Sequence, residues 1–554
     1  MKQTLRRRLL ATIATAMAAV TVALSGPTAA SAAASYALIQ GSGSSWAANA
    51  VNQWVADVAS NGQQVVYTAN GAAQGRKDYA NKSTDFGVTD SPYRGEDPTT
   101  HQQDSPLGRS FAYLPIAAGG TSFPYHVEVA GKLVRNIRLS GETIAKIFTN
   151  QITNWNDAAI TKDNNGNALP SITIIPVVRA DGAGVTNQFS TWMTNQYPSI
   201  WAACNGKAAP TDYFPANCGK ANGPQKAQSG SDGVMNFVKG KNANGAIAME
   251  EYSYPLMANY PVVKMLNKAG YYTLPTQYNV AVALTAAEIN NDASDADYLT
   301  QKLDNVYVNA DKRTYPLSSY VYAIIPTAAS DSKLSTTAKR QNLADFLYYS
   351  ICQGQSEIGP IGYSPLPINL VQAGFTQINK IKAADANVDL TKRDVSTCNN
   401  PTFIAGKPQV NHLAEIAPNP PACDKVGAGP CTGTEGSYNE NPTSSSSSGK
   451  KSTGTKSTTS GTTSSGSSSS SSGTTSGGDT TTAASDGTVT TVDPLTGEQT
   501  VASGTTGEVT VVPTTLAASQ SDGNDGILGA LALGFFLSIV VLPPALTTIL
   551  RRRR

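Results

Sequence analysis

From Ser35 to Asp424, short runs rich in β-branched and apolar side chains alternate with stretches whose apolar positions recur at helical spacing. Gln63 to Ala69, Thr84 to Asp90, Phe111 to Gly120, Ser171 to Val178 and Gly245 to Glu250 predict strands. Trp46 to Ala59, Gly141 to Phe148 and Val185 to Gln196 predict helices, the first with Trp46, Val51, Trp54, Val55 and Val58 on one side. The alternation predicts an α/β sheet with helices on its faces, and about 390 residues exceed one typical core, so two lobes are expected. In such sheets ligands sit past the carboxyl ends of strands, where helices begin.

The two ends read differently. Arg6, Arg7 and Arg8, an apolar run from Leu9 to Leu24 and the series Ala30-Ser31-Ala32 predict a signal peptide over residues 1–32, with Sec and twin-arginine export both open. Residues 441–487 are rich in Ser, Thr and Gly with almost no apolar side chains, which cannot offset the entropy of ordering. They predict a flexible spacer reaching about 35 to 40 Å. The β-prone stretch GTVTTVDPLTGEQTVASG opens residues 488–526 and suggests a small strand pair. Residues 527–550 carry no charge, and at helical rise they span roughly 36 Å, enough for one transmembrane helix. Arg551 to Arg554 then place the C-terminus in the cytoplasm and residues 33–430 outside the cell, as a single-pass protein of the cell membrane.

Composition narrows the chemistry. Lys plus Arg number 41 against 39 Asp plus Glu, so a nucleic-acid partner has no electrostatic support. All six cysteines lie in the exported part, which reads as disulfides. Spacing favours Cys204 with Cys218 and Cys423 with Cys431, leaving Cys352 with Cys398, among fifteen possible pairings. Neither local pair has zinc-site spacing and only three histidines occur, so neither metal nor cofactor is expected. Without a Gly-x-Ser-x-Gly elbow or another nucleophile motif, an enzyme is the weakest class.

Three strand-to-helix turns are candidate anion sites. GSGSSWAANAVNQW runs glycines and serines into a helix start, where backbone N–H groups and hydroxyls make an anion cradle; serine there is equally an ordinary helix cap. In YTANGAAQGRKDYA, Gly71 and Gly75 allow a tight turn, or a plain connection. In SITIIPVVRADGAGVTNQF, Arg179 and Asp181 follow a buried strand, either holding a ligand or bracing the loop. Asp90 ends another short apolar strand and is either a binding carboxylate or a turn former before Ser91-Pro92.

Taken in order, GSGSSW, TDFGVTDSP, GETIAKIFTNQITNWND, VVRADGAG, NGAIAMEEYSY, TYPLSSYVYAIIP and FLYYSICQGQSEIGPIGYSPLP resemble the phosphate-binding proteins that serve ATP-driven phosphate importers. The resemblance runs from about Ile39 to Val371 and points to a membrane-anchored, actinobacterial-type variant. It implies a two-lobed type II periplasmic-binding-protein fold, a ligand between the lobes, inorganic phosphate or a related oxyanion as that ligand, an ABC permease as partner, and a monomer. A sensor or surface interaction module on the same fold is the alternative.

Carried over residue by residue, the resemblance implies Ser45 and Trp46 as first-loop contacts, Asp90 as acceptor of a phosphate O–H, Arg179 as the anion fork, Asp181 as the carboxylate orienting it, and Gly184 as a backbone donor. Ser44, Gly71, Ala72, Ala183, Val185 and Thr186 are further candidates. Arginine offers a charge-assisted fork to a tetrahedral oxyanion, while a carboxylate accepts the O–H of phosphate and repels sulfate. Ala72, Ala183 and Val185 stand where the family commonly has Ser, Ser and Thr. Three absent hydroxyls, at about 0.5 to 1.5 kcal/mol each, weaken binding by powers of ten unless Thr186, Gln74 or backbone N–H groups substitute.

Overall fold

The computed structural model describes residues 36–97, 101, 103–219, 223–391, 393–404, 406–407, 410–432, 489–492 and 499–502. The predicted signal peptide, spacer and transmembrane segment lie outside the described residues. Among the described residues no helix is long and apolar enough to cross a membrane. The chain divides into one unit over residues 1–448 and another over 449–554.

The elements that position the site are β1 (Ile39–Gly43), α1 (Ala48–Ala59), β2 (Val65–Thr68), α2 (Ala72–Ala80), β3 (Phe86–Thr89) and β4 (Phe111–Ser122). After them come β5 (Ile175–Arg179), α3 (Gly184–Gln196), β6 (Lys226–Gln228), α4 (Gly230–Val238), β7 (Ala246–Ala248), β8 (Glu250–Glu251) and β9 (Ser318–Pro326). The first lobe is a six-stranded sheet in the order β8-β4-β9-β3-β1-β2, with β1 parallel to β2 and β3, and β9 antiparallel to β3 and β4. The second lobe holds a parallel sheet in the order β6-β5-β7.

Burial explains why the second sheet is parallel and apolar throughout. Alternate residues of β5 and β7 enter different cores: Val178 and Ile247 join the main one, whereas Val177, Ala246 and Ala248 pack with Val234, Met235 and Val238 of α4. Both faces are therefore covered. The main core runs through the first lobe, where β4 and β9 are almost wholly buried.

The predicted run from Gly245 to Glu250 does not form one strand. Ala246–Ala248 belongs to the second lobe's sheet, and two residues later Glu250 pairs with Ser122 of β4 in the first. The return crossing lies beside it, where the Ala248 N–H donates to Pro124 O at 2.9 Å and the His126 N–H to Ala246 O at 2.8 Å. These two crossing strands join the lobes. The predicted helix from Trp46 likewise starts later, at Ala48, because residues 44–47 form the turn that faces the cleft.

Three disulfides join Cys204 to Cys218, Cys352 to Cys398 and Cys423 to Cys431. In chain-entropy terms the Cys352–Cys398 bridge, with 46 residues of separation, contributes most, about 2 to 4 kcal/mol. A C352S/C398S protein is expected to lose about that much in chemical denaturation, and more than C423S/C431S, whose bridge spans 8 residues. In the second unit, Val489–Val492 and Gln499–Ala502 pair antiparallel, within the stretch read as β-prone.

Candidate functional site

Four helices begin where the carboxyl ends of the strands from both lobes meet, and α1, α2, α3 and α4 all start without a side-chain cap hydrogen bond. Such starts direct the positive end of the helix dipole outward. The tight β1-to-α2 junction depends on Gly75, because a Cβ there would lie 2.3 Å from the Gly43 Cα.

Arg179, at the end of β5, is 2 % exposed. Its Nε donates to Asp181 Oδ1 at 2.9 Å, its Nη2 donates to Asp181 Oδ2, and its Nη1 reaches the Ser231 hydroxyl at 3.3 Å. Asp181 also accepts the Gly230 N–H at 3.0 Å, so one carboxylate fixes both the arginine and the start of α4. Burial alone raises a carboxyl, yet Arg179 outweighs it and holds Asp181 below its ordinary range. Burial likewise opposes the Arg179 charge, and Asp181 more than offsets that.

Asp90, just past β3, is 2 % exposed. Its Oδ1 accepts from the Ser44 hydroxyl at 3.0 Å, and its Oδ2 is buried with no hydrogen-bond partner. Its main-chain carbonyl accepts from Gln188 of α3 at 2.7 Å. Burial lifts the Asp90 carboxyl to about 7, countered in part by Ser44, Arg179 and Arg76. Gly184 lies directly against it: a Cβ at Gly184 would fall 1.7 Å from Asp90 Oδ2, so only glycine permits this approach between the lobes.

The other predicted residues gather at the same place. Ser45 shares a 2.9 Å hydrogen bond with Ser231 across the cleft, and the Ser45 carbonyl accepts from Tyr254 at 2.6 Å. Trp46 is buried edge-on to Tyr363, its indole N–H without a partner. Gly71 adopts φ +96° beside Asp181, and the Ala73 N–H donates to Gly182 O at 3.2 Å. Ala72, Ala183 and Val185 are fully buried at the starts of α2 and α3. Thr186 is fully buried with its hydroxyl unpartnered, which leaves it available to replace a lost donor. Gln74 is not: its amide turns outward to Asp78 at 2.7 Å.

Sequence reasoning missed Ser231, Glu250 and the Arg76 network. Arg76 of α2 is 1 % exposed and bonds Asp104, Thr89 and Ser91 within its own lobe and Asp212 across the cleft. Burial opposes its charge, but Asp212 and Asp104 together raise its basicity. Asp212 in turn accepts from Asn187 of α3 at 2.8 Å, and its carbonyl accepts the Ala183 N–H at 2.9 Å. Glu250 closes the run that the sequence predicts as one strand, the same signal that marked Asp90 and Arg179. Ser231 had no such mark, being placed only by the folding of α4.

A family model described as a PBP superfamily domain matches residues 26–353. Phosphate-binding protein PstS 3 of Mycobacterium tuberculosis (strain ATCC 25618 / H37Rv) is 28% identical over 349 residues, covering 62% of this chain and 86% of that protein. Phosphate-binding protein PstS of Xylella fastidiosa (strain 9a5c) is 28% identical over 339 residues, covering 60% and 83%. Among solved structures, a phosphate-binding protein from Stenotrophomonas maltophilia aligns with a TM-score of 0.44 at 15% identity, covering 61% of this chain and 92% of that one.

Proposed function

The chain belongs to the PBP superfamily, and on that footing we propose that it is an extracellular substrate-binding protein that captures inorganic phosphate, or a related oxyanion, for an ABC permease. The observation that carries this reading is the convergence of the Arg179–Asp181 pair, the Asp90 carboxyl and the starts of four helices between two lobes. The names of its relatives in Mycobacterium tuberculosis and Xylella fastidiosa point to the same ligand. In this reading Arg179 grips the anion, Asp181 holds the arginine in orientation, Asp90 meets a phosphate O–H, and Gly184 and Thr186 donate from α3. The protein is a monomer tethered by a membrane span over residues 527–550, with residues 441–487 as spacer. Tethering keeps the binding lobes at raised effective concentration near a permease in the same membrane.

Titration calorimetry of the intact protein with phosphate, arsenate, sulfate and an organic phosphate tests the reading. Phosphate and arsenate are expected to bind and sulfate to fail, because sulfate at neutral pH has no O–H to offer the buried carboxyl. Binding of sulfate without phosphate would overturn the assignment.

A second reading, a sensor or surface interaction module on the same fold, is favoured by two observations. Ala72, Ala183 and Val185 lack hydroxyls, and the lobes are already bridged by the protein's own Ser45–Ser231 and Arg76–Asp212 contacts. Silence from all four anions selects it.

A further inference from the structure

The register of the second lobe's sheet places another carboxyl beside Arg179. Val177 of β5 pairs with Ala248 of β7 at the end of their parallel ladder, and two residues further on each strand Arg179 and Glu250 lie close enough for the charge of one to act on the other. Glu250 is fully buried, and it stands where the chain crosses between lobes, opposite Ser122. Its Oε1 accepts the Glu251 N–H at 2.8 Å, while its Oε2 has no hydrogen-bond partner. The groups facing it are Arg179 from β5, Ser231 and Asp232 from α4, Ser122 from β4, and Glu251 and Tyr254 from its own segment. Arg179 is the only cation among them, and Asp181 already occupies its fork.

This arrangement sets the charge of the cleft. Arg179 and Asp181 cancel, and Arg76 with Arg94 is matched by Asp104 and Asp212. With Asp90 and Glu250 both ionised, an incoming anion would meet a net negative wall. We propose that Glu250 couples anion capture to proton uptake: the cleft holds its anion with a proton on the Glu250 carboxyl. Burial raises Glu250 to about 7, with Arg179 the main opposing influence, so the coupling falls in the neutral range. At pH 6 Glu250 is largely neutral before the anion arrives, whereas at pH 8 it is ionised and each capture takes up a proton, so affinity falls as pH rises.

The inference rests on the anion-capture reading, and one experiment separates the two. Phosphate affinity is measured at pH 6 and pH 8 for the intact parent and for Glu250→Gln, whose amide oxygen still accepts the Glu251 N–H. The titrations of phosphate and Asp90 are common to both proteins and cancel in the comparison. The pH 8 to pH 6 ratio of dissociation constants is expected to be about tenfold larger in the parent, as for a group of pKa about 7. Equal ratios overturn the role of Glu250 and leave anion capture standing; no phosphate binding by the parent at either pH overturns both. Should the variant not fold, infrared difference spectra of the parent at pH 8 decide. A protonated-carboxyl band that appears on adding phosphate and shifts with ¹³C-glutamate but not with ¹³C-aspartate supports the proposal, and no such glutamate band refutes it.

Discussion

An Arg179→Ala protein is expected to bind phosphate at least about 100-fold more weakly than its parent while remaining folded. Hydrogen bonds to a charged group contribute about 1.5 to 3 kcal/mol each, and about 1.4 kcal/mol is tenfold in affinity, so losing the N–H groups that Asp181 leaves to the ligand, together with the cation itself, reaches about two powers of ten. The change also leaves Asp181 without its partner, and that carboxylate, whose side chain is 22% exposed, then repels the anion instead of orienting the arginine. Arg179→Lys should recover only part of the affinity, since a lysine is a point charge that cannot keep two bonds to Asp181 and face a ligand as well. Calorimetry on the three proteins checks both statements. An unchanged affinity in the alanine protein would remove Arg179 from the site.

The largest effect on stability is expected one shell away, at Arg76. Its guanidinium satisfies Asp104 in its own lobe and Asp212 in the other, with all three side chains nearly inaccessible. An Arg76→Met protein leaves buried Asp104 without its cation and Asp212 with only Arg94 at 3.8 Å, and should lose about 3 to 5 kcal/mol in chemical denaturation. Removing the carboxylates as well, in R76M/D104N/D212N, should restore much of that loss, because the penalty lies in the unmatched charge and not in the absence of an ion pair. A loss below about 1 kcal/mol in the single variant would mean that water reaches the network. Because Asp212 also binds Asn187 and its carbonyl holds the Ala183 N–H, the same variant tests whether this network positions the start of α3.

Much of the candidate site's arrangement was legible because strand ends and helix starts have local signatures. Asp90 and Arg179 each follow a short apolar run, and both prove buried at the carboxyl ends of β3 and β5. Asp181 lies two residues from Arg179, so their pairing needs only one turn. The favoured cysteine pairing was legible for the same reason, since two of the three bridges close short loops. The residues that escaped are those whose partners lie far along the chain. Ser45 meets Ser231 across 186 residues, and Arg76 meets Asp212 across 136. Gln74 escaped in the opposite sense: it is near the site in sequence, but the rotation of α2 turns it outward to Asp78.

By itself, then, the sequence determined the alternation of strands and helices, the favoured pairing of the cysteines, and an arginine–aspartate pair at a strand end. Periodicity, composition and short-range spacing are local properties, and local physics decides them. Only the tertiary structure decided that the run ending at Glu250 splits between two sheets, that Gly184 must be glycine to lie against Asp90, and that Glu250 comes within electrostatic reach of Arg179. Each of these depends on strand register and on the closeness of two lobes, which packing sets and no window of neighbouring residues encodes.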